Sequence, residues 1–89
     1  MAEVVIYTKP WCPYCRRARA LLERKGVDYE EIDIRHRPEL EREMIDRARG
    51  RTTVPQVFID GKHVGGCDDL HELERRGHLD ELLGTAKEA

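Results

Sequence analysis

Two cysteines separated by two residues, Cys12 and Cys15, and a third far along the chain, Cys67, are the side chains whose chemistry stands out among these 89 residues. A thiol pair at that spacing can cycle between dithiol and disulfide, or it can give two thiolates to a metal. A structural zinc site takes four ligands. Here the pair would have to recruit Cys67 and one of His36, His63, His71 or His78, without the usual second C-x-x-C. A disulfide-stapled secreted miniprotein would use more cysteines, normally in even number. Thiol exchange by Cys12 and Cys15 is therefore the better fit.

Exchange needs a thiolate, so the elements around the pair matter. Val4, Val5, Ile6 and Tyr7 form a short β-branched and aromatic run that reads as a buried strand, closed by Lys9 and Pro10. From Pro13 the pattern is helical: Cys15, Ala18 and Leu22 fall on one face, Leu21 widens it, and Gly26 stops it. Cys12 thus stands at a helix N-terminus, where unpaired N–H groups and the positive end of the dipole stabilise an anion. That makes Cys12 the expected nucleophile. Cys15, one turn further in and more buried, is the expected resolving thiol, and Pro13 suits the first helical turn. Arg16, Arg17 and Arg19 lie where the macrodipole disfavours cations. They either add positive field beside Cys12, drawing in an anionic substrate, or form a solvated face. Lys9, three residues before Cys12, is the stronger single candidate for that role.

The rest of the chain supplies a scaffold. A strand is expected over 28–34, from Tyr29, Ile32 and Ile34. A helix follows from Pro38, with Leu40, Met44 and Ala48 on one face, before Gly50. Gln56–Ile59, Asp60-Gly61 and Lys62–Val64 read as a hairpin, because Asp-Gly favours a type I′ turn. Asp69 with Glu72 suggests a capping box that opens a last helix, with Leu70 and Leu73 inward. Gly77 interrupts it, and Leu79, Leu82 and Leu83 add a short helical continuation. The order β-α-β-α-β-β-α implies an α/β, thioredoxin-like fold: a four-stranded mixed sheet flanked by helices, in a single domain over 1–89.

Sixteen Lys and Arg against eighteen Asp and Glu give a net charge of −2, which argues against a nucleic-acid or anionic-membrane partner. The balance is uneven, with residues 1–26 carrying a net +4 and the remainder −6. No apolar run approaches the roughly 20 residues of a membrane span, and no secretory leader opens the chain. A soluble, cytoplasmic monomer is expected.

Four segments together, Tyr7-Thr8-Lys9, Cys12-Pro13-Tyr14-Cys15, Thr53-Val54-Pro55 and Gly65-Gly66-Cys67-Asp68-Asp69, resemble the glutaredoxins of the bacterial dithiol type. The resemblance implies glutathione as co-substrate, with no metal or nucleotide cofactor. It places Lys9 and Arg42 near the glycine carboxylate of glutathione and makes Tyr14 a wall of its groove. It makes Pro55 a cis proline, so that Val54 can pair its backbone with the cysteinyl part, and includes Thr53 in the site. It gives the γ-glutamyl carboxylate to the amides of Cys67 and Asp68 at a helix N-terminus, with Gly66 also in the site, and the ammonium to Asp68 or Asp69. On the residues alone, Pro55 fits a trans edge proline, Asp68 and Asp69 helix caps, and Gly65-Gly66 a plain turn. Tyr14 fits simple packing, and Cys67 fits a small buried hydrophobe or an oxidisable extra thiol.

The activity implied is reduction of glutathione mixed disulfides and protein disulfides, with electrons returned through the glutathione pool and glutathione reductase. Disulfide-containing or glutathionylated proteins would be its partners. Two rivals stay open: a thioredoxin-like hydrogen donor served by thioredoxin reductase, and a [2Fe–2S] module in which two chains share a cluster through Cys12 and two glutathiones.

Overall fold

Alternation along the first strand sets the architecture. The computed structural model describes residues 2–84, and in it β1 (Val4–Thr8) sends Val4 and Ile6 into one apolar cluster and Val5 and Tyr7 into another. Successive side chains of a strand point to opposite faces, so a run buried at every position needs cover on both sides.

The first cover is α1 (Pro13–Arg24), whose Ala18, Leu21 and Leu22 pack on Val4 and Ile6 with Leu70, Leu79 and Leu83 from α3 (Cys67–Arg75) and α4 (Leu79–Leu83). The second is α2 (Pro38–Arg47), which brings Met44, followed by Ala48, against Val5, Tyr7 and Phe58. Each helix is amphipathic because one stripe is consumed by the sheet.

The remaining strands are β2 (Glu30–Asp33), β3 (Gln56–Ile59) and β4 (Lys62–Gly65), and the sheet runs β2-β1-β3-β4. β2 is parallel to β1, with Tyr7 beside Ile32 and Thr8 beside Asp33; β3 is antiparallel to both β1 and β4. The mixed sheet flanked by helices is the expected one. At the hairpin tip Asp60 and Gly61 have φ of 52° and 78°, the positive values that a type I′ turn requires at both central residues.

Two expectations are adjusted. The second strand is shorter than 28–34, because Glu30, Glu31 and Asp33 are exposed at the sheet edge and only Ile32 is partly covered. The last helix begins at Cys67 with Gly66 as N-cap, not at a capping box of Asp69 with Glu72. Asp69 is instead the third helical residue and reaches back to accept the Gly66 N–H at 2.9 Å. Glycine has no side chain to return the bond, so only half of a capping box forms. Glu72 turns outward to Arg75 and Arg76. Among the described residues no helix is long and apolar enough to cross a membrane.

Candidate active site

Three elements converge on one end of the sheet: the β1–α1 junction, the segment entering β3, and the start of α3. At the first, Cys12 is the N-cap of α1 with extended backbone angles, and Pro13 opens the helix. The Cys12 sulfur accepts the backbone N–H of Cys15 at 3.2 Å, so a thiol occupies the place that Ser or Asp usually fills. A thiolate there meets an N–H donor and the positive end of the helix dipole, and no acidic residue lies in the first turn to oppose it.

Cys15 has a different environment. It is fully buried among the core residues, and burial, followed by its hydrogen bond with Cys12, pushes its thiol up to about 12. One member of the pair is half-exposed at a helix terminus and the other is enclosed and neutral. Both are free thiols here, as is Cys67.

The Val54–Pro55 peptide is cis, and the Val54 carbonyl lies 4.0 Å from the Cys12 sulfur. What holds this segment is a buried polar side chain that sequence reasoning did not single out. Gln56, with no exposed surface, donates from Nε2 to the Thr53 carbonyl at 3.0 Å, and its Oε1 lies 2.6 Å from His63 Nε2 on β4. Burial and the nearby Arg51 and Arg49 lower the His63 pKa, which favours the neutral ring that can donate to the glutamine.

A groove of about 240 Å³ runs from Tyr14 along Thr53, Val54 and Pro55 to the N-terminus of α3, where Gly66, Cys67, Asp68 and Asp69 line it. The structure therefore brings eight of the resemblance-derived positions to one groove. Lys9 and Arg42 are not among its lining residues: Lys9 lines a separate concavity and pairs with Glu41 at 3.8 Å, and Arg42 is exposed on α2. One lining residue was missed, Arg51, whose Nη1 meets Asp69 Oδ2 at 2.9 Å. No local pattern marks it, because its partner is brought in by the hairpin.

Asp69 consequently has two partners. Burial opposes its ionisation, but the Gly66 N–H and the Arg51 guanidinium outweigh this and hold its pKa below the ordinary value. The bonds anchor the α3 terminus whenever Asp69 is charged. A lowered folded-state pKa contributes stability above the unfolded value, and this is lost as pH falls through the folded one. Asp69→Ala is expected to cost about 1 kcal/mol at pH 7 in urea denaturation, and the difference from wild type should narrow below pH ~4. A gap of constant size would contradict this role.

The basic cluster near Cys12 is partly neutralised. Arg19 pairs with Glu31 at 3.0 Å, and Arg17 lies over the Tyr14 ring, 5.6 Å from its centroid. Cys67 is buried, with its sulfur 3.4 Å from His71 Nδ1. Among the described residues no group of three or more His, Cys, Asp or Glu is arranged to hold a metal ion. A larger concavity of about 450 Å³ lies between β4, α3 and α4, but no cysteine lines it.

Comparison with known proteins is consistent across sequence and structure. The glutaredoxin family model matches residues 4–64. A glutaredoxin of Pseudomonas aeruginosa is 61% identical over 85 residues, covering 96% of this chain and all of the relative. The solution structure of glutaredoxin from Brucella melitensis superposes with a TM-score of 0.83 at 57% identity, covering 100% of this chain and 96% of that one. The crystal structure of a buckwheat glutaredoxin–glutathione complex gives 0.85 at 34% identity, covering 93% of this chain and 77% of that one.

Proposed function

The chain belongs to the glutaredoxin family of thiol–disulfide oxidoreductases, and from that premise we propose that it is a glutathione-dependent member in which Cys12 is the nucleophile and Cys15 the resolving thiol. The observation that carries this reading is the Cys12 sulfur at the α1 N-cap, 3.2 Å from the Cys15 N–H and beside the Val54 wall of the groove.

The Cys12 thiolate attacks the glutathione sulfur of a mixed disulfide. The old S–S bond breaks, and its electron pair leaves on the substrate sulfur, which takes up a proton. The glutathionyl group is retained on Cys12. A second glutathione thiolate then attacks it, releasing glutathione disulfide and regenerating the Cys12 thiolate. With a protein disulfide, Cys15 resolves the mixed intermediate. Its thiol is protonated at neutral pH, so it gives up that proton as it attacks, and the departing substrate thiolate accepts it.

Each polar end of glutathione has a complement along the groove. The N–H groups of Cys67 and Asp68 at the start of α3 suit the γ-glutamyl carboxylate. Asp68, exposed at the groove, suits the ammonium, with Asp69 beside it already engaged by Arg51. The Val54 backbone suits the cysteinyl peptide, and Tyr14 walls it in. Lys9 and Arg42 are assigned to the glycine carboxylate, with Lys9 exchanging its long contact to Glu41 for the ligand.

A coupled assay separates this from a thioredoxin-like donor. NADPH consumption is expected with glutathione and glutathione reductase, and little with thioredoxin reductase alone. Turnover confined to the second arm would replace the glutathione reading with the thioredoxin one.

A further inference from the structure

Trp11 and Tyr14 are the large hydrophobic side chains left exposed among the described residues, at 89% and 54%. Tyr14 lines the groove already described, whereas Trp11 does not. Its backbone has a φ of 62°, a left-handed conformation that costs an ordinary L residue about 1–2 kcal/mol, and the next residue is Cys12. An indole held in solvent on strained backbone beside the reactive thiol gains nothing from the folded core.

Trp11 lines a second concavity of about 410 Å³ that shares no lining residue with the groove and meets the proposed glutathione site only at Lys9. Its charges are divided. Arg19 is taken by Glu31, Lys9 pairs with Glu41, and Asp33 accepts the Arg35 N–H. Arg16, also lining it, is exposed and in no ion pair among the described residues. Glutathione is a tripeptide with one groove to fill, while a polypeptide bonded to Cys12 must continue past it.

We propose that Trp11 and Arg16 form a docking surface for the polypeptide that carries the disulfide under attack, fitting a segment with an apolar side chain beside the target cysteine and an acidic one next to it. The inference rests on the Cys12 chemistry proposed above. As Cys12 attacks, one new S–S bond joins it to the peptide, the peptide disulfide breaks, and the second peptide sulfur leaves with the electron pair and is protonated. The apolar side chain then covers the Trp11 indole and the acid faces Arg16.

The test uses short peptides closed by one disulfide, one carrying Leu and Glu beside the first cysteine and the other Ser and Lys, with the cysteine–glutathione mixed disulfide as the small substrate. Rates are followed with glutathione, glutathione reductase and NADPH. Trp11→Ser is expected to lower kcat/KM for the Leu/Glu peptide about tenfold, to leave the small substrate unchanged, and to be rescued by Trp11→Phe. Arg16→Glu should invert the preference between the two peptides. Equal loss on peptide and small substrate, or loss on neither, overturns the docking surface. Failure of the wild type on the small substrate overturns the underlying reading instead.

Discussion

Replacing Cys12 by Ser is expected to abolish every exchange reaction, while Cys15→Ser is expected to keep removal of glutathionyl groups and lose reduction of protein disulfides. The asymmetry follows from the two environments. Cys12 is half-exposed at the α1 N-cap with an N–H donor at 3.2 Å, whereas Cys15 has no exposed surface and a thiol pushed up to about 12. A serine hydroxyl in place of Cys12 stays protonated in this range and forms no mixed disulfide, so the loss should reach the assay background, at least about a thousandfold given the weak nucleophilicity of an unactivated hydroxyl. The Cys15 change leaves the Cys12 sulfur in place and removes only the intramolecular attack. Coupled rates on the cysteine–glutathione mixed disulfide and on a peptide disulfide read the two losses separately. Equal loss in both variants would contradict the assigned roles.

The second large effect concerns Gly65. Its φ of 124° lies in the region that side chains rarely adopt, and an added Cβ would come within 2.7 Å of Asp69 Cγ and closer still to its Oδ2. Gly65→Ala must therefore both strain the backbone and push Asp69 away from the Gly66 N–H and Arg51. Strain of about 1–3 kcal/mol together with a lost cap of about 1 kcal/mol predicts destabilisation of about 2–4 kcal/mol in chemical denaturation. It also predicts a raised KM for glutathione mixed disulfides, because the α3 amides would be displaced. Gly66 provides the internal control. Its φ is −89°, and an added Cβ would meet Pro55 O at 3.4 Å and Arg51 at 3.5 Å, ordinary contacts for a side chain. Gly66→Ala should cost much less. If the two substitutions prove equally mild, the close approach of Gly65 to Asp69 does not organise the α3 terminus.

These effects show which parts of the protein were readable from residues and which were not. The strand–helix junction bearing Cys12 is specified locally, by a β-branched run, a Pro at the first helical position and a periodic apolar face, and it formed where expected. The hairpin was equally legible because Asp60-Gly61 carries its own turn chemistry. β2 was harder to bound, since at a sheet edge Glu30, Glu31 and Asp33 need no burial and the strand is defined by pairing with β1. The start of α3 lies three residues earlier than the Asp69–Glu72 spacing suggests, because its N-cap is a glycine, Gly66. The stabilising carboxylate sits at the third helical position, so the Asp69–Glu72 spacing imitated a cap further along. For Arg51, Gln56 and His63 no sequence pattern points to the contacts they make at the site. Gln56 and His63 meet only once the hairpin pairs β3 with β4, and Arg51 meets Asp69 only once the start of α3 is brought beside it.

The same distinction applies to charge. The cationic excess of residues 1–26 suggested a positive field around Cys12, yet Arg19 is paired with Glu31 and Arg17 rests on Tyr14. What meets the Cys12 sulfur directly is the backbone N–H of Cys15, a donor that every helix N-terminus offers and that only the position of Cys12 exploits.

In the proposed cycle Cys12 alone accepts and holds the glutathionyl group. Cys15→Ser incubated with glutathione disulfide, then analysed by intact mass and peptide mapping, tests it most directly. One glutathionyl adduct per chain is expected, located on Cys12 and released by added glutathione. An adduct on Cys67 instead, or no adduct at all, would contradict it.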